Sequence, residues 1–297
     1  MISRAKQPDF VCIGPEKTGT GWLYKALSAH PGAWMPPIKE LRFLNEGNHV
    51  PDHTLKNLIL SSHWHYRALR RQLLFSIPRI VLPAKVTGNR RGIGQFRWML
   101  NYCLRSHSFD WYSDLFPRIP KVVCGDISPL YYGIPESRIA ELSRYKDNLK
   151  IIVFVRNPIE RVWSKARMNL CAHKGRKFDD VPASEVIAFV DAVYEGWRPY
   201  ADTIESWKRY FAEVFVGFFD ALDEDPARFF RDICSFLGLS IDVVFASVGE
   251  RVNVGVDDRL PARLRNYLRS QYHSEIKMLA ESSNYGYPRL WLEREYS

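Results

Sequence analysis

One lysine set among glycines and threonines, Gly14-Pro-Glu-Lys17-Thr18-Gly19-Thr20-Gly21-Trp22, and one arginine closing an apolar run, Lys150-Ile-Ile-Val-Phe-Val-Arg156, have the types and order needed to act on an anion. Backbone N–H groups at a turn and helix start converge on one point, where the helix dipole favours negative charge. Glycine lets the main chain come close to a ligand. Arginine offers a planar fork of donors that matches phosphate. The elements that must position these groups can be read around them. Phe10–Ile13 is a short apolar strand, and residues 21–29 form a helix that His30-Pro31-Gly32 stops. Ile151–Val155 is a central strand. Asn157-Pro158 then supplies an N-cap and a proline at the first turn of a helix running from Ile159 to Leu170. Arg156 therefore stands at the carboxyl end of a buried strand, where open α/β sheets bind ligands, and Ser164 lies two helical turns on.

The loop is not a Walker A motif, which needs G-x-x-x-x-G-K-[ST]. Gly14 and Gly19 have that spacing, but Thr20 and Gly21 follow and Lys17 comes before. This order disfavours the β/γ tail of a nucleoside triphosphate as the ligand. An ordinary strand–turn–helix with a solvated lysine is the competing reading of the loop taken alone.

Taken together, the two segments resemble the sulfotransferases that use 3′-phosphoadenosine-5′-phosphosulfate. Lys17-Thr-Gly-Thr-Gly-Trp22 is similar to their 5′-phosphosulfate loop. Val155-Arg-Asn-Pro-Ile-Glu-Arg-Val-Trp-Ser164 is similar to their 3′-phosphate motif, in which an arginine and a serine eight positions later hold that group. Pro36-Pro-Ile-Lys-Glu-Leu-Arg-Phe43 resembles the Lys-Glu-x-x-Phe segment of the heparan-sulfate and related carbohydrate branch, whose glutamate is the catalytic base; it maps onto Glu40. Gly125-Asp-Ile-Ser-Pro-Leu-Tyr-Tyr132 is similar to a Gly-Glu-x-[Ser/Thr]-Pro-x-Tyr turn. Asp126 replaces the usual glutamate there, and Ile127 stands where some heparan enzymes carry a lysine that meets the acceptor. Arg251-Val-Asn-Val-Gly255 falls where the family places a loop that closes over the nucleotide.

The resemblance implies a P-loop-kinase-like α/β fold and a sulfuryl transfer without a metal. It places Lys17 at the leaving phosphate oxygen and Glu40 at the acceptor hydroxyl. Thr18, Gly19, Thr20, Gly21 and Trp22 supply donors to the 5′-phosphosulfate. Arg156, Ser164 and Arg251 serve the rest of the nucleotide, and Asp126 is a supporting or acceptor contact. Burial is expected to raise the Glu40 pKa toward that of an efficient base. A surface glutamate paired with Lys39 or Arg42 is the plainer reading of Glu40. Other sulfotransferase branches use histidine, and His49, His53, His63, His65 and His107 lie in the acceptor-side stretch.

The chain of 297 residues is 46% hydrophobic and 25% charged, which suits one large globular α/β domain. Its net charge of +9 favours an anionic ligand, acceptor or surface. Zinc-finger spacing, an RNP signature and a helix-turn-helix are all missing, so nucleic acid is disfavoured. Five scattered cysteines without a C-x-x-C pair argue against a disulfide framework and for a reducing compartment. Neither a signal peptide nor an 18-residue apolar run is seen, and with the resemblance this points to a cytoplasmic enzyme of the bacterial branch. Strands alternating with helices imply a parallel sheet covered on both faces. Helices are read at residues 111–115, 135–145, 184–197, 204–211, 226–237 and 263–279, and further strands at 121–125 and 214–218. Residues 53–75 have helical character. A single domain is expected over residues 1–297, with an insertion at about 50–110 rich in arginine, including Arg67, Arg70, Arg71, Arg97 and Arg105. That stretch is either a solvated face or a patch for an acidic acceptor or a membrane surface. Two other functions remain open on the residues: a P-loop-type small-molecule kinase, and a nucleotide-binding module without catalysis.

Overall fold

The computed structural model describes residues 7–45, 60, 91–105, 107–117, 119–171, 174–242, 248–249, 259–282 and 285–296. Within them, five strands form one sheet in the order β2-β3-β1-β4-β5: β1 (Phe10–Ile13), β2 (Ala33–Trp34), β3 (Val123–Ile127), β4 (Lys150–Val155) and β5 (Val214–Phe218). Every pairing is parallel; Phe10 stands opposite Gly125 of β3 on one side and Lys150 of β4 on the other.

The central strands feed two cores. Val11 and Ile13 of β1, with Ile151, Val153 and Val155 of β4, point into one; Phe10 and Cys12, with Ile152 and Phe154, point into the other. A parallel strand covered on both faces reads as a continuous apolar run, which is why neither segment shows polar alternation.

Helices α1 (Thr20–Ala29) and, further along, α2 (Arg91–Leu104), α3 (Phe109–Asp114), α4 (Glu136–Tyr145), α5 (Pro158–Ala166), α6 (Ala183–Glu195), α7 (Tyr200–Lys208), α8 (Phe219–Glu224), α9 (Pro226–Leu237), α10 (Ala262–Ser282) and α11 (Gly286–Tyr296) surround the sheet. Leu23 and Leu27 of α1 and Phe229 and Ile233 of α9 cover one face; Ile139 of α4, Ile159 and Val162 of α5, Trp207 of α7 and Leu268 of α10 cover the other. Asn157 caps α5 by accepting a hydrogen bond from the Ile159 N–H at 2.9 Å, with Pro158 in the first turn, as its sequence implies.

Some elements depart from expectation. The helix read as far as Leu170 keeps α geometry only to Ala166 and then widens into a π turn over Arg167–Cys171, which carries Arg167 and Met168 to the cleft described below. β3 begins two residues later than the run Lys121–Gly125, because Lys121 takes a left-handed turn conformation at φ 61°. Helix α2 lies partly in a stretch without clear periodicity, where Gly92 and Gly94 weaken the helical signal. Helix α11 adds a C-terminal element to those the sequence pattern predicts. The 53–75 segment lies outside the described residues except for Leu60, which is helical. All five cysteines are buried thiols outside any disulfide. Among the described residues no helix is long and apolar enough to cross a membrane.

Candidate active site

The loop after β1 is shaped by its backbone. Gly14 has φ 149°, and a Cβ there would lie 2.9 Å from the Phe154 carbonyl oxygen, so the loop is pressed against β4. Lys17 and Gly19 also adopt positive φ, 75° and 101°. For lysine that conformation costs about 1–2 kcal/mol, a strain typical of sites where a ligand must be met. Gly19 is the N-cap of α1 and offers no side-chain acceptor, so the first-turn N–H groups are left uncapped by any side chain.

Arg156, at the end of β4, reaches this loop directly. Its Nη1 donates to the Lys17 carbonyl at 3.1 Å, and its guanidinium lies 4.1 Å from the centre of the Phe219 ring. Its backbone N–H donates to the Tyr200 hydroxyl at 3.3 Å. Its Nε makes no hydrogen bond and meets Glu160 Oε2 only at 3.8 Å. Burial pulls the pKa of Lys17 down, and the neighbouring Arg156 adds to this; burial does the same to Arg156, with Glu160 opposing. Two partly desolvated cations side by side make a site whose energy falls when an anion enters.

A cleft of 690 Å³ joins the pieces: it is lined by Lys17, residues 19–22, Glu40, Arg156 and Ser164. Three further groups that sequence reasoning did not assign, Lys39, Arg167 and Phe219, also face it. Arg167 lies three residues beyond Ser164, one turn along the same face, a spacing that was readable. Phe219 carried no such signal.

Glu40 is held at φ 69°, its N–H donating to the Ile127 carbonyl at 3.1 Å. Its carboxylate accepts from Lys39 Nζ at 2.8 Å and from Arg42 Nη2 at 2.9 Å. Burial acts to raise its pKa, as expected, but Lys39 and Arg42 together outweigh burial and hold it below the ordinary glutamate value. Glu40 is thus paired with both cations, yet it is only 17% exposed and faces the cleft rather than the outer surface.

Several other side chains are engaged within the fold. Thr18 is fully buried and its hydroxyl donates to the Pro15 carbonyl at 2.8 Å, so it braces the turn rather than offering a hydroxyl to a ligand. The Trp22 indole N–H donates to the Val248 carbonyl at 2.9 Å and its ring packs on Phe229 and Phe230. Its side chain therefore ties the Val248 segment to α1. Asp126 is 0% exposed and cannot touch an acceptor. It accepts from the hydroxyls of Ser128 at 2.8 Å, Tyr131 at 2.8 Å and Tyr112 at 3.0 Å. Burial raises its pKa, and these hydrogen bonds and one from Leu41 oppose that rise. Since Leu41 follows Glu40, Asp126 supports the Glu40 segment from beneath. His107 stacks on Trp111 at 4.1 Å and is not among the cleft residues. His49, His53, His63, His65 and Arg251 lie outside the described residues, although Val248 and Gly249 line the cleft. No cluster of metal-ligating side chains occurs among the described residues.

Comparison with known proteins accords with this geometry. A family model described as "Sulfotransferase family" matches residues 8–243. Heparan sulfate glucosamine 3-O-sulfotransferase 3B1 of Mus musculus is 30% identical over 141 residues, 43% of this chain and 35% of that protein. Its mouse relative 3A1 is 29% identical over 141 residues, 43% and 34% of the two chains. The matched stretch thus spans about a third of the length of these curated relatives. A solved sulfotransferase from Alicyclobacillus acidocaldarius superposes with a TM-score of 0.60 at 20% identity, covering 95% of this chain and 99% of that one. The sulfotransferase domain of the Synechococcus PCC 7002 olefin synthase gives 0.55 at 18% identity, covering 91% and 95%. The fold is the one these structures share.

Proposed function

The chain belongs to the sulfotransferase family, and we propose that it moves the sulfuryl group of 3′-phosphoadenosine-5′-phosphosulfate onto a hydroxyl of a carbohydrate, a glycolipid or a related small molecule. The observation that carries this reading is the contact between the two anion grips: Arg156 Nη1 meets the Lys17 carbonyl at 3.1 Å inside one cleft that also holds Glu40. A single adenosine derivative with phosphoryl groups at both ends can touch both grips. The residues suit such a molecule: Lys17, Arg156 and Arg167 supply positive charge, Ser164 a hydroxyl, and α1 its uncapped N-terminus.

Sulfuryl transfer passes a neutral SO₃ unit from one oxygen to another. The S–O bond to the 5′-phosphate breaks, and the acceptor oxygen bonds to sulfur and releases its proton. Lys17 and the first-turn N–H groups stabilise the charge that gathers on the departing phosphate oxygen. Glu40, kept ionised by Lys39 and Arg42, takes the proton. Arg156 and Ser164 hold the 3′-phosphate, so the reacting end is fixed before acceptor arrives. These cations supply the positive field that a metal supplies in many phosphoryl transfers.

The carbohydrate acceptor rests on the Lys39-Glu40 segment and on the matched heparan sulfate enzymes. We assign the arginine-rich stretch near residues 50–110 to the acceptor side of a single domain, and the enzyme to the cytoplasm on its resemblance to the bacterial branch. The loop's lack of the G-K-[ST] order weighs against a kinase.

Titration calorimetry with 3′-phosphoadenosine-5′-phosphate and with adenosine diphosphate tests the donor. The first binds and the second binds far more weakly. Arg156→Ala weakens the first by about 10–100-fold, the loss of charge-assisted hydrogen bonds. Unchanged affinity in that variant, or a preference for the diphosphate, refutes the assignment. An acceptor screen with ³⁵S-labelled donor then names the product.

A further inference from the structure

The C-terminal helix α11 lies beyond the residues matched by the family model, yet one of its side chains, Arg294, lines the cleft. Arg294 Nη2 contacts Glu160 Oε1 at 3.0 Å, while Glu160 Oε2 faces Arg156 Nε at 3.8 Å. A single carboxylate therefore spans two guanidinium groups, one oxygen to each. An anion with several oxygens, wider and more highly charged than a carboxylate, fits between two such forks.

The helix that presents Arg294 is anchored from several directions. The Trp291 indole donates to Asp220 Oδ1 at 2.9 Å, and the Tyr287 hydroxyl to Glu224 Oε2 at 2.7 Å, both on α8. Glu295, next to Arg294 and 1% exposed, accepts from Arg265 at 2.8 Å and from Arg269 at 3.1 Å. These contacts fix the register of α11, so Arg294 has a set position at the rim although its own side chain is half exposed.

We propose that Arg294 is a third contact to the 3′-phosphate of the nucleotide, beside Arg156 and Ser164, and that the Glu160 carboxylate occupies the anion's place until the nucleotide displaces it. This rests on the function proposed above, since it names a further residue of the same site. It makes α11 a part of nucleotide discrimination: the extra cation rewards a phosphate at the 3′ position and does nothing for a nucleotide that lacks one.

The test is calorimetry on the full chain with two probes, 3′-phosphoadenosine-5′-phosphate and adenosine 5′-monophosphate. Arg294→Ala weakens the first by about tenfold, as for loss of one charged contact at a half-exposed position, and leaves the second unchanged. Arg294→Lys recovers part of the loss, because a point charge replaces the fork. Glu160→Gln, which removes the charge between the two arginines and leaves the Arg294 contact to Glu295 at 3.7 Å in place, tightens the first probe several-fold. Equal affinity of wild type and Arg294→Ala for the bisphosphate, or an equal loss for both probes, overturns the role of Arg294. Loss of bisphosphate affinity in Glu160→Gln overturns the displacement. A wild-type chain that fails to bind the bisphosphate at all refutes the underlying functional reading instead, so the two failures are distinguishable.

Discussion

Glu40 and Asp126 stand on neighbouring stretches of backbone, joined where the Glu40 N–H donates to the Ile127 carbonyl, yet their carboxylates occupy opposite surroundings. Glu40 faces the cleft and is gripped by two cations that keep it charged. Asp126 is sealed beneath, met by three hydroxyls and the Leu41 N–H, and burial drives its pKa upward. The difference separates a carboxylate open to the cleft, to which we assigned the proton transfer, from one that holds a turn. The short Asp126 side chain ends among Tyr112, Ser128 and Tyr131, away from the cleft.

Substitutions can sharpen or break this contrast. The largest effect is expected outside the pair, at Lys17, the group we proposed to meet the departing oxygen. Lys17→Ala lowers kcat by about 10³, within the range for losing one transition-state electrostatic contact, and weakens bisphosphate binding in calorimetry by far less than that. A loss confined to binding would move Lys17 from chemistry to capture. Glu40→Gln comes next, lowering kcat by about 10² or more at unchanged nucleotide affinity; near-normal turnover in the radiolabel assay would return Glu40 to the role of a structural ion-pair partner. Asp126→Asn costs about 1–3 kcal/mol of stability, read as a lower thermal midpoint, because one acceptor oxygen becomes a donor facing hydroxyls that already donate. An Asp126→Asn chain with wild-type stability and lost turnover would erase the distinction between the two carboxylates.

The smallest expected effect concerns pH. The Glu40 pKa is depressed, so its stabilising charge is complete above the ordinary glutamate value and is lost only as pH falls through the lower folded value. The acid limb of kcat/KM therefore lies below about pH 4.5. Lys39→Met moves that limb upward, since one of the two cations that oppose burial is gone. A limb that does not move would show that Lys39 adds little to holding the charge.

How much of this was legible in the sequence follows from how local each feature is. The loop of Lys17 and the strand end at Arg156 are runs of adjacent residues, and their spacing predicts the cap at Asn157 and the start of α5 correctly. β4 and β5 are likewise readable as apolar runs. The environment of Asp126 is assembled from Tyr112, Ser128 and Tyr131 on separate elements, and no spacing rule reveals that it is sealed. The depressed pKa of Glu40 escaped for a related reason. Lys39 and Arg42 were visible beside it, but that both turn onto one carboxylate depends on positive φ at Glu40 and Arg42. Arg294 reaches the cleft only because α11 is tied to α8 through Trp291, a contact spanning 71 residues of chain.

The sheltered sulfurs supply a reporter without engineering. Burial pushes the thiols of Cys103 and Cys234 up to about 11 and that of Cys12 higher still, so these three present almost no reactive thiolate in the folded chain. Alkylating reagents are consumed at the rate at which the interior opens to solvent. Mass tags on Cys12 and Cys234, which lie in one core, and on Cys171, in the other, clock separately how often each face of the sheet loosens.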